Sequence, residues 1–235
     1  MAAQVPIVDV SCLFSLSGKS AIVTGGSGGL GLSMTTALAS AGADIVSIEL
    51  PNEPSSSAVA SAISKAGRNL RQYHSDIRDS KHLHGDVKGD ILLNCAGVQR
   101  RADADSFTDE EIEVVLDVNL KATLVSCQEF AKPLLKEGSS GKIINIASNI
   151  CFIGVKNITP YAVSSGGVLY FHTPLTEQYQ TDPKCKEFND HVMMRTPAKR
   201  WGDPVDLAGA IIFLARSASD SVRGMSVVVD GGWLG

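Results

Sequence analysis

The chain has 235 residues, 44% hydrophobic and 20% charged, which suits one α/β domain over residues 1–235 and excludes a disordered or fibrous protein. Its net charge of −4 is scattered, so no nucleic-acid or anionic-membrane surface is expected. The five cysteines form no Cys-x-x-Cys pair and read as reduced thiols. The longest apolar stretch, Leu207 to Ala215, is too short for a bilayer, and residues 1–20 lack the basic start of a signal peptide; a cytoplasmic protein is expected.

Short apolar runs alternate with amphipathic stretches. Ser20 to Thr24 reads as a buried strand, followed by a glycine-rich turn and a helix with Leu30, Met34 and Leu38 on one face and Gly42 as its stop. Ala43 to Glu49 is a second strand, 55–66 a helix, and Leu70 to His74 a third strand. The crossover from Asp76 to Ile91 carries Gly85 and Gly89 and leaves room for a short helix only. Its His82, His84 and Asp86 read as a solvated turn, and no metal is expected. Asp90 to Asn94 is a fourth strand. Thr108-Asp-Glu-Glu111 is a capping box opening a helix that ends near Gly138, and Lys142 to Ala147 is a fifth strand. A helix starts near Pro160, another at Asp203-Pro204 runs to about Arg216, and Met225 to Asp230 reads as a last strand. The alternation predicts a Rossmann-like, doubly wound parallel sheet. Trp201 and Trp233 read as packing residues.

The turn after the first strand is Thr24-Gly25-Gly26-Ser27-Gly28-Gly29-Leu30-Gly31. Glycines let a backbone turn tightly against a pyrophosphate while the next helix aims its free N–H groups at it. Two registers fit: Gly26-x-Gly28-x-x-Gly31 and Thr24-Gly25-x-x-x-Gly29-x-Gly31. Glu49 ends the second strand, where an acidic group accepts hydrogen bonds from the adenosine ribose hydroxyls and repels a 2′-phosphate; NAD is favoured over NADP.

The second register resembles the short-chain dehydrogenase/reductase family, and further motifs fall in the family's order. Asp76 and Ile77 lie after the third strand, at the adenine. Asn94-Cys-Ala-Gly97 resembles the family's Asn-Asn-Ala-Gly segment, and the Val-Asp-Gly-Gly-Trp ending is also similar. The resemblance implies cofactor binding by Gly25, Ser27, Gly29, Leu30, Gly31, Glu49, Asp76, Ile77, Asn94, Ala96 and Gly97. It implies catalysis by Ser148, which holds the substrate oxygen, Tyr161, which moves the hydroxyl proton, and Asn119, which orients a water relay. A narrower resemblance, in Pro197-Ala-Lys-Arg-Trp-Gly-Asp-Pro204 and the Asp-Gly-Gly-Trp-Leu ending, is to 2-deoxy-D-gluconate 3-dehydrogenases and 2-dehydro-3-deoxy-D-gluconate 5-dehydrogenases. It makes Arg100 and Arg101 candidates for a sugar-acid carboxylate, beside Ser148 and Tyr161; an exposed basic turn explains the two arginines equally well. Homo-oligomers through the helices bearing Asn119 and Tyr161 are implied.

Two departures matter. The family places a lysine four residues after the tyrosine, where it lowers the tyrosine pKa; this chain has Ser165. Neither His172 nor Lys156 is an obvious substitute. Thr173-Pro174 follows the Tyr161 helix so soon that no interior strand is legible between them, and the portion after Tyr161 reads as deleted. Three readings follow: an NAD-dependent oxidoreductase interconverting a secondary alcohol and a ketone on a sugar acid or polyol; a catalytically impaired dinucleotide-binding paralogue; and a truncated product that does not fold stably alone.

Overall fold

The computed structural model describes residues 9–51, 56–79, 87–148, 157–164 and 186–234. The crossover histidines, Lys156, Ser165, His172 and Thr173-Pro174 lie outside those residues.

Five parallel strands form one sheet in the order β3-β2-β1-β4-β5. They are β1 (Ser20–Thr24), β2 (Asp44–Glu49), β3 (Leu70–His74), β4 (Ile91–Asn94) and β5 (Lys142–Asn145). Thr24 stands beside Ile48 on one side and Asn94 on the other, and Asn94 beside Asn145, so the strands end level at their carboxyl edge. The order reverses between β1 and β4, and the crevice outside that edge is where such sheets bind ligands.

Both faces are covered, which is why the central strands are apolar without alternation. Ala21, Val23, Ile91 and Leu93 face a core with Met34 and Leu38 of α2 (Gly29–Ser40) and Val59 and Ile63 of α3 (Ser56–Lys65). Ile22, Val46, Ile48 and Leu92 face Phe130. Ahead of β1, a short α1 (Val10–Phe14) was not legible.

The predicted Thr108 capping box is present: its hydroxyl accepts from the Glu111 N–H, and the Glu111 side chain accepts from the Thr108 N–H. It opens α4 (Asp109–Leu116), but the rod is not one α-helix. Asp117–Ala122 winds as a π-helix before α5 (Thr123–Glu137) resumes. Such widened turns occur chiefly at functional sites, and Asn119 lies within this one. Beyond β5 come α6 (Thr159–Ser164), α7 (Lys186–Arg195), a 3₁₀ turn (Pro204–Leu207) and α8 (Ala208–Ala215). Trp233 is buried, with the Arg195 guanidinium 5.0 Å from its ring centre, and Trp201 Nε1 donates to Asn189 Oδ1 at 2.7 Å. Both tryptophans therefore pack, as expected.

Met225 to Asp230 is not a strand. The segment has no ladder partner among the described residues, and Met225 and Val228 are exposed. A strand forms only where a neighbour offers its backbone groups. Between β5 and this segment lies a cavity of about 870 Å³, lined by Ile144, Ile146, Ala210, Ile211, Val227 and Val229. No described residue occupies it.

A real space tolerates added volume where a packed core does not. Ala210→Leu is expected to raise stability by about 1 kcal/mol, or roughly 2–4 °C in Tm. Ala37→Leu, in the packed core on α2, is expected to cost about 1–3 kcal/mol. Thermal melts of the two variants check this; an equal loss in both would mean that the space beside β5 is filled.

Candidate active site

The glycine turn closes on β4 by direct backbone contact. Gly25 has φ +67°, and a Cβ there would lie 2.7 Å from Ala96 Cα; at Gly31 it would lie 2.0 Å from the Gly25 carbonyl oxygen. Neither position admits a side chain. Thr24 secures the same junction, its hydroxyl accepting from the N–H groups of Cys95 and Ala96, each at 3.3 Å.

Helix α2 starts beyond this junction with Gly28 as N-cap, which offers no side-chain oxygen to the first N–H groups. The space around Gly28 is open: a Cβ there would meet nothing within 4 Å. Uncapped N–H groups and the positive end of a twelve-residue helix thus lie beside the exposed Gly28 and Gly29. These donors fit the pyrophosphate of a dinucleotide.

Glu49 closes one side. It is buried, and its two carboxyl oxygens accept from the hydroxyls of Ser27, in the glycine turn, and Ser47, two residues back on β2. Ser27 and Glu49 were expected at this site, and Ser47 was not. Its signal was the two-residue strand period that puts it on the face of Glu49. Each carboxyl oxygen has two lone pairs, so acceptor capacity remains for ribose hydroxyls.

Other candidates are already engaged. The Asp76 carboxylate accepts from Arg78 Nε and Nη2, at 3.0 Å and 2.6 Å to one oxygen. These bonds hold it below the usual carboxylate range. Ile77 packs against the core beside Phe130. Asn94 is buried and braces the sheet, its Nδ2 donating to Asn145 Oδ1 at 2.8 Å. Burial, reinforced by Glu49, pushes the Cys95 thiol up to about 12, so it stays protonated at neutral pH.

Asn119 reaches from the π-turn to the loop after β4. Its Oδ1 accepts from the Val98 N–H at 2.8 Å, and its Nδ2 donates to the Val98 carbonyl at 3.0 Å and to Ser164 Oγ at 3.1 Å. Ser164 ends α6, the helix that carries Tyr161, and sequence reasoning overlooked it. Ser148 is buried three residues past β5. Gly97, Arg100 and Arg101, on the loop after β4, are all exposed. Arg100 Nη1 donates to the Gln99 carbonyl at 3.0 Å, and the Ala102 N–H donates to the Asn157 carbonyl at 3.3 Å, tying this loop to the start of α6. The glycine turn, Glu49, Asn94 and Ser148 thus lie at or beyond the carboxyl ends of their strands, and Asn119 links the loop after β4 to the helix that carries Tyr161. No described group of His, Cys, Asp and Glu could hold a metal, and no described helix is long and apolar enough to cross a membrane.

The family pattern described as short chain dehydrogenase matches residues 19–183, and one described as enoyl-(acyl carrier protein) reductase matches residues 170–234. Over 94% of its length the chain is 36% identical to a 2-dehydro-3-deoxy-D-gluconate 5-dehydrogenase of Escherichia coli, covering 97% of that protein. It is 33% identical to a gluconate 5-dehydrogenase of Gluconobacter oxydans, at 94% and 96% coverage. The E. coli alignment extends over 254 residues, more than the 235 of the whole chain, so that relative has residues with no counterpart here. A crystal structure of a gluconate 5-dehydrogenase from Burkholderia cenocepacia, in complex with NADP and tartrate, superposes with a TM-score of 0.86 at 32% identity, covering 96% of this chain and 99% of that one. With the sheet order, the glycine turn and the crevice all in agreement, the chain belongs to the short-chain dehydrogenase family of oxidoreductases.

Proposed function

We propose that the chain is a single-domain, NAD-linked oxidoreductase that interconverts a secondary alcohol and a ketone on a gluconate-type sugar acid. The observation that carries this is the crevice at the β1–β4 switch, where Gly25 contacts Ala96, α2 opens uncapped and Glu49 closes the far side. The likeness to gluconate-type dehydrogenases at 33–36% identity supports the substrate class. NADP in the Burkholderia relative is a property of that protein; here Glu49 argues for NAD, because a buried carboxyl group disfavours a 2′-phosphate.

Gly25, Ser27, Gly29, Leu30 and Gly31 would hold the pyrophosphate and Glu49 the adenosine ribose, with Asp76, Ile77, Asn94, Ala96 and Gly97 lining the rest. Bound there, the dinucleotide supplies the two-electron redox chemistry. Ser148 would hold the substrate oxygen, Tyr161 would take or give its proton, and Asn119 would order the relay behind Tyr161. Arg100 and Arg101 would pair with the substrate carboxylate at the mouth. The helices bearing Asn119 and Tyr161 would carry a homo-oligomeric contact.

Ser165 favours a second reading, a dinucleotide-binding protein of low catalytic power. An ordinary tyrosine hydroxyl, with a pKa near 10, is ionised in only about one molecule per thousand at pH 7. A serine at the lysine position should therefore lower turnover at neutral pH, by up to about three decades relative to a lysine-assisted site.

Two measurements test these readings. Excess NAD at about 100 times Kd is expected to raise Tm by roughly 5–10 °C, from about 2.7 kcal/mol of linkage. NADP should do less, and Glu49→Ala should weaken NAD about tenfold, leaving NADP unharmed; an equal response to both dinucleotides would sink the NAD assignment. Alcohol oxidation by the natural chain should rise as the pH is raised above 7, because a tyrosine unaided by a lysine is a better base when more alkaline. Ser165→Lys should flatten that profile and lift the neutral rate; a variant that binds NAD and stays silent at every pH would place the defect outside proton transfer.

A further inference from the structure

We propose that Ser164 is a positioning residue that fastens the helix carrying Tyr161 to the wall of the dinucleotide crevice through the side chain of Asn119. The role rests on the oxidoreductase reading above, but the contacts that define it do not.

The argument is one of hydrogen-bond supply. A carboxamide has two N–H donors and one carbonyl acceptor, and a serine hydroxyl has one proton. Ser164 Oγ gives its proton to the Tyr161 carbonyl at 3.0 Å, so toward Asn119 it can only accept. Asn119 must then present Nδ2 to Ser164, and its other Nδ2 proton goes to the Val98 carbonyl. That leaves Oδ1 for the Val98 N–H, where it is found at 2.8 Å. A flipped carboxamide would set N–H against N–H at Val98 and carbonyl oxygen against an oxygen whose proton is already used at Ser164. One orientation satisfies every partner: both backbone groups of Val98 set it, and Ser164 accepts from the same Nδ2, which ties α6 to it.

The consequence reaches both halves of the crevice. Val98 lies two residues beyond Ala96, the residue that Gly25 touches, and a Cβ at Gly97 would stand 3.4 Å from Asn119 Oδ1. A continuous line of contacts therefore runs from the glycine turn through Ala96, Val98, Asn119 and Ser164 to the backbone of Tyr161. The π-turn makes it possible: where the ordinary i to i−4 ladder is widened, the Asn119 carbonyl accepts from the Thr123 hydroxyl at 3.0 Å and its side chain is left to span the gap. Within the described part of α6, Pro160 is buried and the Ser164 hydroxyl makes the side-chain bond to Asn119. The residue that follows is Ser165, so the fixing of Tyr161 does not come from a lysine at that position.

The test compares Ser164→Ala with Ser164→Thr, which keeps the hydroxyl. Amide hydrogen exchange at Val98 reports on the Asn119 bond without requiring turnover. Ala is expected to speed that exchange roughly five- to tenfold, the loss of about one hydrogen bond, with exchange at Leu93 in the core unchanged; Thr should restore it. In turnover, measured in the natural chain or, if that is silent, in the Ser165→Lys background, Ala should lower kcat roughly tenfold, leave KM for NAD unmoved, and be rescued by Thr. Unchanged Val98 exchange, a uniform rise at Val98 and Leu93 alike, or a fall in NAD affinity equal to that in rate would each overturn the proposal. Failure of NAD to bind any variant would overturn the oxidoreductase reading instead, while the Val98 comparison would still decide whether Ser164 orders Asn119.

Discussion

The close passage of Gly25 against Ala96 is the constraint on which the rest of the site depends. It occurs where β1 and β4 lie side by side and their following loops part in opposite directions, and it brings two backbones closer than any Cβ allows. Everything that would touch a dinucleotide is referred to that point. The turn that follows aims α2, Ser27 of that turn meets Glu49, and the loop beyond Ala96 reaches Asn119 two residues later. Parallel pairing makes this possible, because level carboxyl edges collect the loops of five separate strands along one line.

Much of this was legible because it is local. The apolar runs of β1, β2 and β4 are continuous since both faces of the sheet are covered, and a glycine cluster between a strand and a helix has few structural uses. Capping at Thr108 and at Asp203 needs only residues three apart. What was not legible depends on partners distant in sequence. Met225 to Asp230 has the valine-rich run of a strand, yet pairing needs a neighbour, and among the described residues none lies beside it. The π-turn at Asn119 has no residue pattern of its own. It is visible only once Val98 and Ser164 are seen to share that carboxamide. Asp76 follows β3 and Asn94 ends β4, but their side chains already serve Arg78 and Asn145, which spacing alone does not reveal.

The two ends of the sheet are therefore unequal. On the β3-β2-β1 side, two cores enclose the strands and Glu49 is buried among hydroxyls. On the β5 side, Ile143 is exposed, a cavity separates Ile144 from Val227 and Val229, and β5 has β4 as its one ladder partner among the described residues. The dinucleotide half rests on the first side, and the residues expected to handle the substrate rest on the second.

That asymmetry orders the consequences of losing structure near β5. Ser148 is held three residues past β5, the last strand of the sheet among the described residues, and Tyr161 sits on α6, which is tied in through Ser164. Binding energy can accrue at the glycine turn whether or not these two are well placed, because uncapped α2 and Glu49 belong to the packed side. Rate cannot, because general acid–base catalysis tolerates only small errors in the distance between proton donor and acceptor. A chain of this build would therefore keep affinity for a dinucleotide long after its turnover has declined. The oxidoreductase and the silent dinucleotide-binding protein are two points on one scale, and the rigidity of α6 against the Asn119 turn sets where this chain stands on it.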